Sequence, residues 1–530
     1  MSIVIRSLSY IHPDKDLLFQ NIHLSVAKGE KAALVGNNGA GKSTLLQIIA
    51  GRLHQSEGEV ILSEAACYIP QYLGQYNDQS IAQVLGVAEK LHALHAILEG
   101  DVAPAHFTTL EDDWDIEERL SAALAYWHLQ HLPLTQTMQH LSGGEKTKVF
   151  LAGLLIHSPG IILLDEPSNH LDGASRELLY AFIQKSKATV LVVSHDRTLL
   201  NLLPTTLALD KNTIEVYGGN YDFYATQKEG KLAALQSRLD EKEKTLKQAQ
   251  QKARDIAAQR QKQEARDKKQ GANSGLPRIL AGTRKTNAEQ STAKLANVHN
   301  DKIRDLAGSL TQIRTQIQEY QGLKLHLGHS GLHKGKILVE AKDINCAYGE
   351  KSLWPMPLSF QLRSGERVRI EGNNGTGKTT LLQLMMGNLQ PSVGELLIAG
   401  CRYLYLDQEY ALINNQLTVF EQAQQFNSRL LQEHELKIIL HQHHFSHELW
   451  DKKCTVLSGG ERMKLMLCSL AISNNIPDLL VLDEPTNNID IQSLEVLTRA
   501  VKDFAGSVWV ISHDTYFIRE IKIDKTIRLG

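Results

Sequence analysis

Four sequence blocks occur twice, in the same order, and this repetition constrains the fold more than any other feature of the chain. GNNGAGKSTLLQ (36–47) returns as GNNGTGKTTLLQ (372–383), and LSGGEKTK (141–148) returns as LSGGERMK (457–464). LLDEPSNHLD (163–172) returns as VLDEPTNNID (481–490), and SHD (194–196) returns at 512–514. At 530 residues the chain is too long for one ordinary domain, and the repeat resolves it into two copies of one. The apolar runs KAALV, ILLD and TVLVV of the first copy, and RVRI, LVLD and SVWVI of the second, read as buried parallel strands. Strands of this kind alternating with helices give an α/β fold in each copy. The first copy holds about twenty more residues than the second between its CYIPQ and its LSGGE. They are expected within 85–118, as a helix–loop–helix.

The piece between the copies is of another kind. From about Gln227 to Gln321 it is rich in Lys, Gln, Ala and Glu. Leu232, Leu235, Leu239, Leu246, Ala249, Ala253 and Ile256 keep a 3/4 spacing, interrupted by Lys242. Leu306, Leu310, Ile313, Ile317 and Tyr320 repeat that spacing. Two such helices are expected to pair as an antiparallel coiled coil, the first running from about 227 to 269 and reaching about 60 Å. GANSGLPRILAGTRK (271–285) supplies the turn. The expected organisation is a first domain at 1–226, a helical-hairpin linker at 227–325 and a second domain at 334–530.

The formal net charge is −2, which excludes a chain that is basic throughout. Residues 242–294 nevertheless carry fourteen Lys and Arg against five acids, a local excess of +9. A solvated linker is one reading of that excess. A phosphate-rich partner is the other, with Lys268, Lys269, Arg278, Arg284 and Lys285 near the turn as RNA-contact candidates. No run approaches the roughly 18–20 apolar residues of a membrane span, and no signal-peptide core follows the amino terminus. The five cysteines are scattered, without a CxxC pair, as in a reduced cytoplasmic protein without a metal site built from thiols.

Both glycine blocks fit G-x-x-x-x-G-K-[ST], the P-loop that wraps backbone N–H groups around phosphates at a helix N-terminus. It spans Gly36, Asn37, Asn38, Gly39, Ala40, Gly41, Lys42, Ser43 and Thr44 in the first copy. In the second it spans Gly372, Asn373, Asn374, Gly375, Thr376, Gly377, Lys378, Thr379 and Thr380. Lys42 and Lys378 would reach the β- and γ-phosphates of ATP, and Ser43 and Thr379 would ligate Mg²⁺. Asp165 and Asp483 would hold the same ion, and Glu166 and Glu484 would polarise the attacking water. His195 and His513 would contact the γ-phosphate, and Gln71 and Gln408 would report on Mg²⁺ and that phosphate. Tyr10 and Tyr348 lie upstream, where a ring could stack on adenine or pack into the core.

LSGGE decides among nucleotide-binding folds. It offers a second phosphate-accepting helix start in a domain that already has a P-loop. Here the sequence resembles the ATP-binding cassette superfamily, in which LSGGE of one cassette closes over nucleotide held by the other. The resemblance implies two composite sites. One joins Lys42, Ser43, Gln71, Asp165, Glu166 and His195 with Ser458, Gly459 and Gly460. The other joins Lys378, Thr379, Gln408, Asp483, Glu484 and His513 with Ser142, Gly143 and Gly144. Both lie on one chain, so a monomer can pair its own cassettes.

The duplication, the charged helical linker, EPSNHLD and YGGNYDFY (217–224) together resemble the ABC-F subfamily over nearly the whole chain. That resemblance implies a cytoplasmic ATPase acting at the tRNA exit site of the 70S ribosome. It would direct its linker towards the P-site tRNA, ribosomal RNA and the peptidyl-transferase centre, and relieve stalling or protect against antibiotics. A transporter ATPase subunit and a DNA-maintenance ATPase are the other classes the motifs permit. EPTNNID departs from the family pattern at Asn488 and Ile489, so the two sites are expected to be unequal.

Overall fold

The computed structural model describes the chain except for residues 14–16, 38, 211, 272–302, 315–330, 349–350, 374, 408–409, 444, 474–476, 488 and 530. Asn38, Asn374, Gln408, Arg278, Arg284, Lys285, Ile317 and Tyr320 therefore lie outside the described residues. Two compact units emerge: Met1–Tyr224 with Leu323–Gly530, and Ala225–Gly322.

The first unit contains the two cassettes. A six-stranded sheet of the first cassette has the order Ala66–Ile69, Ile161–Asp165, Thr189–Val193, Lys31–Val35, Thr205–Leu209, Ile214–Tyr217. Its neighbours pair parallel except for the last, which is antiparallel. The second cassette has a five-stranded parallel sheet ordered Tyr403–Leu406, Leu479–Asp483, Ser507–Ile511, Arg367–Glu371, Lys525–Arg528. Every residue of Ile161–Asp165, Thr189–Val193, Leu479–Asp483 and Ser507–Ile511 is buried. This is why these strands read as unbroken apolar runs: a sheet covered on both faces gives no alternation. Each cassette adds a three-stranded antiparallel sheet, Leu17–Val26, Ile3–Ile11 and Glu57–Leu62 in the first and Leu358–Arg363, Ile337–Asn345 and Val393–Ile398 in the second.

The topology puts the chemistry at one edge of each parallel sheet. The P-loop follows Val35, Asp165 ends its strand, and His195 lies two residues beyond Val193. All three are carboxyl ends of parallel strands, where open α/β sheets bind their ligands. Residues 85–118 carry the helices Ala88–Leu98 and Pro104–Leu110 and the start of Ile116–Tyr126.

The second unit is dominated by the helix Tyr221–Gly271. That helix starts six residues earlier than its leucine spacing implies. Asn220 Oδ1 accepts from the Phe223 amide at 3.1 Å, and Asn201 and Asp222 exchange bonds of 3.0 and 2.8 Å. Tyr221, in the first turn, is buried. Hydrogen bonding and packing thus start the helix before its seam begins. Within the unit, residues 303–314 are helical and lie beside the long helix. Lys242 Nζ donates to Ser309 Oγ at 3.1 Å, and Arg314 meets Glu243 at 2.7 Å. The polar interruption of the seam therefore has a polar partner opposite it, a device that fixes register.

Leu310, only 3% exposed, is the apolar anchor of that pairing. Leu310→Ala is expected to weaken the hairpin by about 2–3 kcal/mol, whereas Glu243→Gln removes an exposed pair worth under about 1 kcal/mol. Hydrogen exchange across 225–256 distinguishes the two. Faster exchange in the leucine variant alone is the expected result, and equal exchange would place the anchor elsewhere.

Candidate active sites

The first site grows from a loop that only glycine can form. Gly39 and Gly41 have φ of 76° and 91°, and a Cβ on Gly41 would come within 2.7 Å of Leu18 Cδ2. The turn delivers the chain into the helix Lys42–Ile49, whose free N–H groups face the site. Lys42 Nζ curls back to the carbonyls of Gly36 and Asn37 at 2.9 and 3.1 Å. Burial lowers the Lys42 pKa, against the pull of Glu166, Asp490 and Asp165. A polyphosphate over the loop would supply the counter-charge this ammonium lacks.

At the strand end, Tyr68 OH donates to Asp165 Oδ2 at 3.1 Å. Burial raises the Asp165 pKa, while hydrogen bonds from Ser43 and Tyr68 oppose the rise. Glu166 sits at φ 53°, a left-handed conformation rare outside glycine, held by its amide on the Val193 carbonyl at 2.8 Å. Burial pushes its pKa up to about 8, and the neighbouring Asp165 adds to the effect. His195 Nε2 lies 3.3 Å from Glu166 Oε1, and burial with Lys42 lowers its pKa to about 4. Burial thus favours the neutral form of both the imidazole and the carboxyl.

These side chains line a cavity of about 480 Å³ together with Gln71, Thr44 and Asn169. Ser458 and Gly459, from the second cassette, complete the wall. Gln492 Nε2 also crosses over, donating to Asn37 Oδ1 at 2.5 Å. Arg197 joins Glu520 and Glu495 of the second cassette at 3.2 and 3.9 Å, and Asn201 Nδ2 donates to Tyr516 OH at 2.7 Å.

The second site repeats the first with differences. Gly375 and Gly377 have φ of 81° and 84°, and Lys378 Nζ reaches the carbonyls of Gly372 and Asn373 at 2.7 and 3.3 Å. It also meets His513 Nε2 at 3.3 Å. Thr379 Oγ1 and Tyr405 OH donate to Asp483 Oδ2 at 3.0 and 3.1 Å. Glu484, at φ 48°, lies 3.3 Å from His513 Nε2, and burial pushes its pKa up to about 7. Burial, Lys378 and Arg176 lower that of His513 to about 4.

Here the cavity, about 360 Å³, is lined on its first-cassette side by Gly173, Arg176, Glu177 and Tyr180. Ser142, Gly143 and Gly144 do not line it, and neither do Thr379, Asp483 and Glu484. Ser142 Oγ closes a capping box with Glu145, as Ser458 does with Glu461, and a Cβ on Gly144 would lie 2.8 Å from the His170 carbonyl oxygen. The structure thus assembles a cross-cassette wall with LSGGE at one cavity, and with the helix Gly173–Lys185 at the other.

The sequence profile of the ABC transporter family matches residues 19–169 and 356–487, together more than half of the chain. The probable ATP-binding protein YbiT of Escherichia coli O157:H7 is 30% identical over 528 residues, covering 95% of this chain and 92% of that protein. The chain is a tandem-cassette ATPase of the ABC-F family. The ribosome protection protein VmlR of Bacillus subtilis (strain 168) is 28% identical, covering 99% of this chain and 86% of that one. In fold the chain is similar to the archaeal ribosome recycling factor aABCE1 solved with the stalk protein aP1. That match has a TM-score of 0.60 at 18% identity, over 98% of this chain and 87% of that one.

An ABC-F ATPase generally works on ATP with Mg²⁺, and the residues present fit that ion. Asp165 Oδ1 is buried and unbonded among the described residues, beside the Ser43 hydroxyl. Asp483 stands on Thr379 in the same way. A carboxylate beside a hydroxyl is a hard-oxygen donor pair that suits Mg²⁺, and phosphate and water oxygens would complete its shell. The ion would neutralise phosphate charge when bound.

Tyr10 packs in the core at 7% exposure, against Phe19, and His12 lines the first cavity in its place. The strand register shifts between Tyr10 and Ile11, so residue spacing alone does not give the facing. Tyr348 lies in the short strand Ala347–Tyr348, and Lys268 and Lys269 lie in the linker helix. His12, Gln492 and Arg176 were not legible from the motifs. The one available signal was that the copies differ at 174/492 and 176/494, just after their shared LD or ID.

Proposed function

We propose that this ABC-F ATPase acts on the ribosome, as a translation or ribosome-protection factor, in a cycle set by ATP at two composite sites. ATP would draw the cassettes together over both nucleotides. Hydrolysis, with Glu166 and Glu484 as the water-polarising groups and His195 and His513 at the γ-phosphate, would release the factor. The observation that carries the reading is the +9 charge over 242–294, on a linker inserted between cassettes whose own remainder is acidic. A phosphate-rich partner such as P-site tRNA or ribosomal RNA near the peptidyl-transferase centre suits it, with Lys268, Lys269, Arg278, Arg284 and Lys285 as contacts. VmlR, a ribosome protection protein by name, supports the same reading. Among the described residues no helix is long and apolar enough to cross a membrane.

The test is co-sedimentation of the purified chain with 70S ribosomes through a sucrose cushion, with duplex DNA as competitor. Retention with ATP, loss with ADP and indifference to excess DNA are expected. Titration of the chain off ribosomes by duplex DNA would instead support a DNA-maintenance role and sink this one. Replacing Lys268, Lys269, Arg278, Arg284 and Lys285 by Gln is expected to weaken retention at least tenfold at 0.1 M salt, with ATPase activity within twofold.

A further inference from the structure

The two copies of the site receive different side chains from across the cassette interface. After Asp490 the second cassette offers Gln492 to Asn37 at 2.5 Å, and its next-but-one residue is Leu494. After Asp172 the first cassette has Ala174 and then Arg176, so the amide is missing and a guanidinium has appeared. Arg176 lines the second cavity together with Lys378 and His513, at the side of the second site away from Thr379, Asp483 and Glu484, which do not line it. The approach is close, since a Cβ on Gly173, three residues before it, would lie 4.0 Å from His513 Nδ1.

The guanidinium is only partly engaged. Arg176 Nε donates to the Leu171 carbonyl at 3.1 Å, which aims the side chain. Its two terminal nitrogens make no hydrogen bond or ion pair among the described residues. The other arginine of this wall differs: Arg369 is held by Glu371 at 3.2 Å. Two free, parallel N–H donors on a rigid fork match the oxygens of a phosphate.

We propose that Arg176 of the first cassette contacts the terminal phosphate of the nucleotide held by the second, so that turnover at the second site alone depends on a cation supplied across the interface. The proposal rests on the reading of both sites as hydrolytic. In the step it assists, the water oxygen bonds to the terminal phosphorus as the bond from that phosphorus to the β–γ bridging oxygen breaks. ADP leaves with the electron pair, and the water proton passes to Glu484. Charge accumulating on the phosphoryl oxygens is what a fixed cation stabilises.

The experiment isolates each site in the full chain. Glu166→Gln leaves the second site active, and Glu484→Gln leaves the first. Adding Arg176→Leu, the residue of the other copy, is expected to lower kcat at least tenfold in the Glu166→Gln chain, with KM within threefold. In the Glu484→Gln chain the loss should stay below twofold. Arg176→Lys keeps the charge and should recover part of the loss, which separates contact with phosphate from packing. Equal losses in both chains, or none in the first, would overturn the proposal. A Glu166→Gln parent without any turnover would overturn the hydrolytic reading of the second site, a result visible before Arg176 is changed.

Discussion

A chain carrying both Glu166→Gln and Glu484→Gln is expected to bind ATP with affinity within a few-fold of the unmodified protein and to hydrolyse it about a thousandfold more slowly. Each glutamate is the residue after a strand-ending aspartate, is at most 6% exposed, and is held at positive φ by a backbone bond to the neighbouring strand. Such strain of about 1–3 kcal/mol persists only where the surroundings fix it, and it aims the carboxyl beside His195 or His513. Glutamine keeps the volume and cannot accept a proton from water, so the loss falls on the chemical step, within the 10²–10⁴ range of general-base catalysis. Single-turnover hydrolysis and equilibrium nucleotide binding separate the two quantities. A double variant retaining more than a tenth of the activity would remove these carboxylates from the mechanism.

The same geometry shows why some of the site was legible in the sequence and some was not. The P-loops, the strand-ending acids and the histidines are fixed by short-range rules. Glycine is needed at φ of 76–91°, apolar runs mark buried strands, and the functional groups follow directly at the strand ends. Tyr10 takes the second of its two sequence readings, core packing, while His12, which no motif marks, lines the cavity just beyond a register shift at Tyr10 and Ile11. The long helix began early because Asn220, Asn201 and Asp222 supply bonds that leucine spacing does not encode. Arg176 and Gln492 belong to another class. Their roles arise only when one cassette is set against the other, and within their own helices they look like ordinary surface positions.

The pH dependence follows from the two raised carboxyl groups and differs between rate and stability. For kcat/KM, which reports the free enzyme, Glu166 and Glu484 must be ionised to accept a proton. With pKa values pushed up to about 8 and about 7, the rate is expected to rise about tenfold per pH unit below neutrality and to level above about pH 8. The single-site chains should separate the limbs, near 7 with Glu166→Gln and near 8 with Glu484→Gln. For stability the sign reverses. A folded-state pKa above the unfolded value means that the protonated form is favoured on folding. That stabilisation is complete below the ordinary carboxylate range and is lost as pH rises through about 7–8. Each pH unit between the ordinary carboxylate range and the raised pKa costs up to about 1.4 kcal/mol per carboxyl, and nothing more is lost above it. The nucleotide-free chain should therefore melt at a lower temperature at pH 9 than at pH 6. Glutamine at both positions imitates the protonated form and should remove most of that difference. A melting temperature equally sensitive to pH in the double variant would mean that these carboxyls are ionised in the folded protein, and the predicted acid limb would then move down to the ordinary carboxylate range.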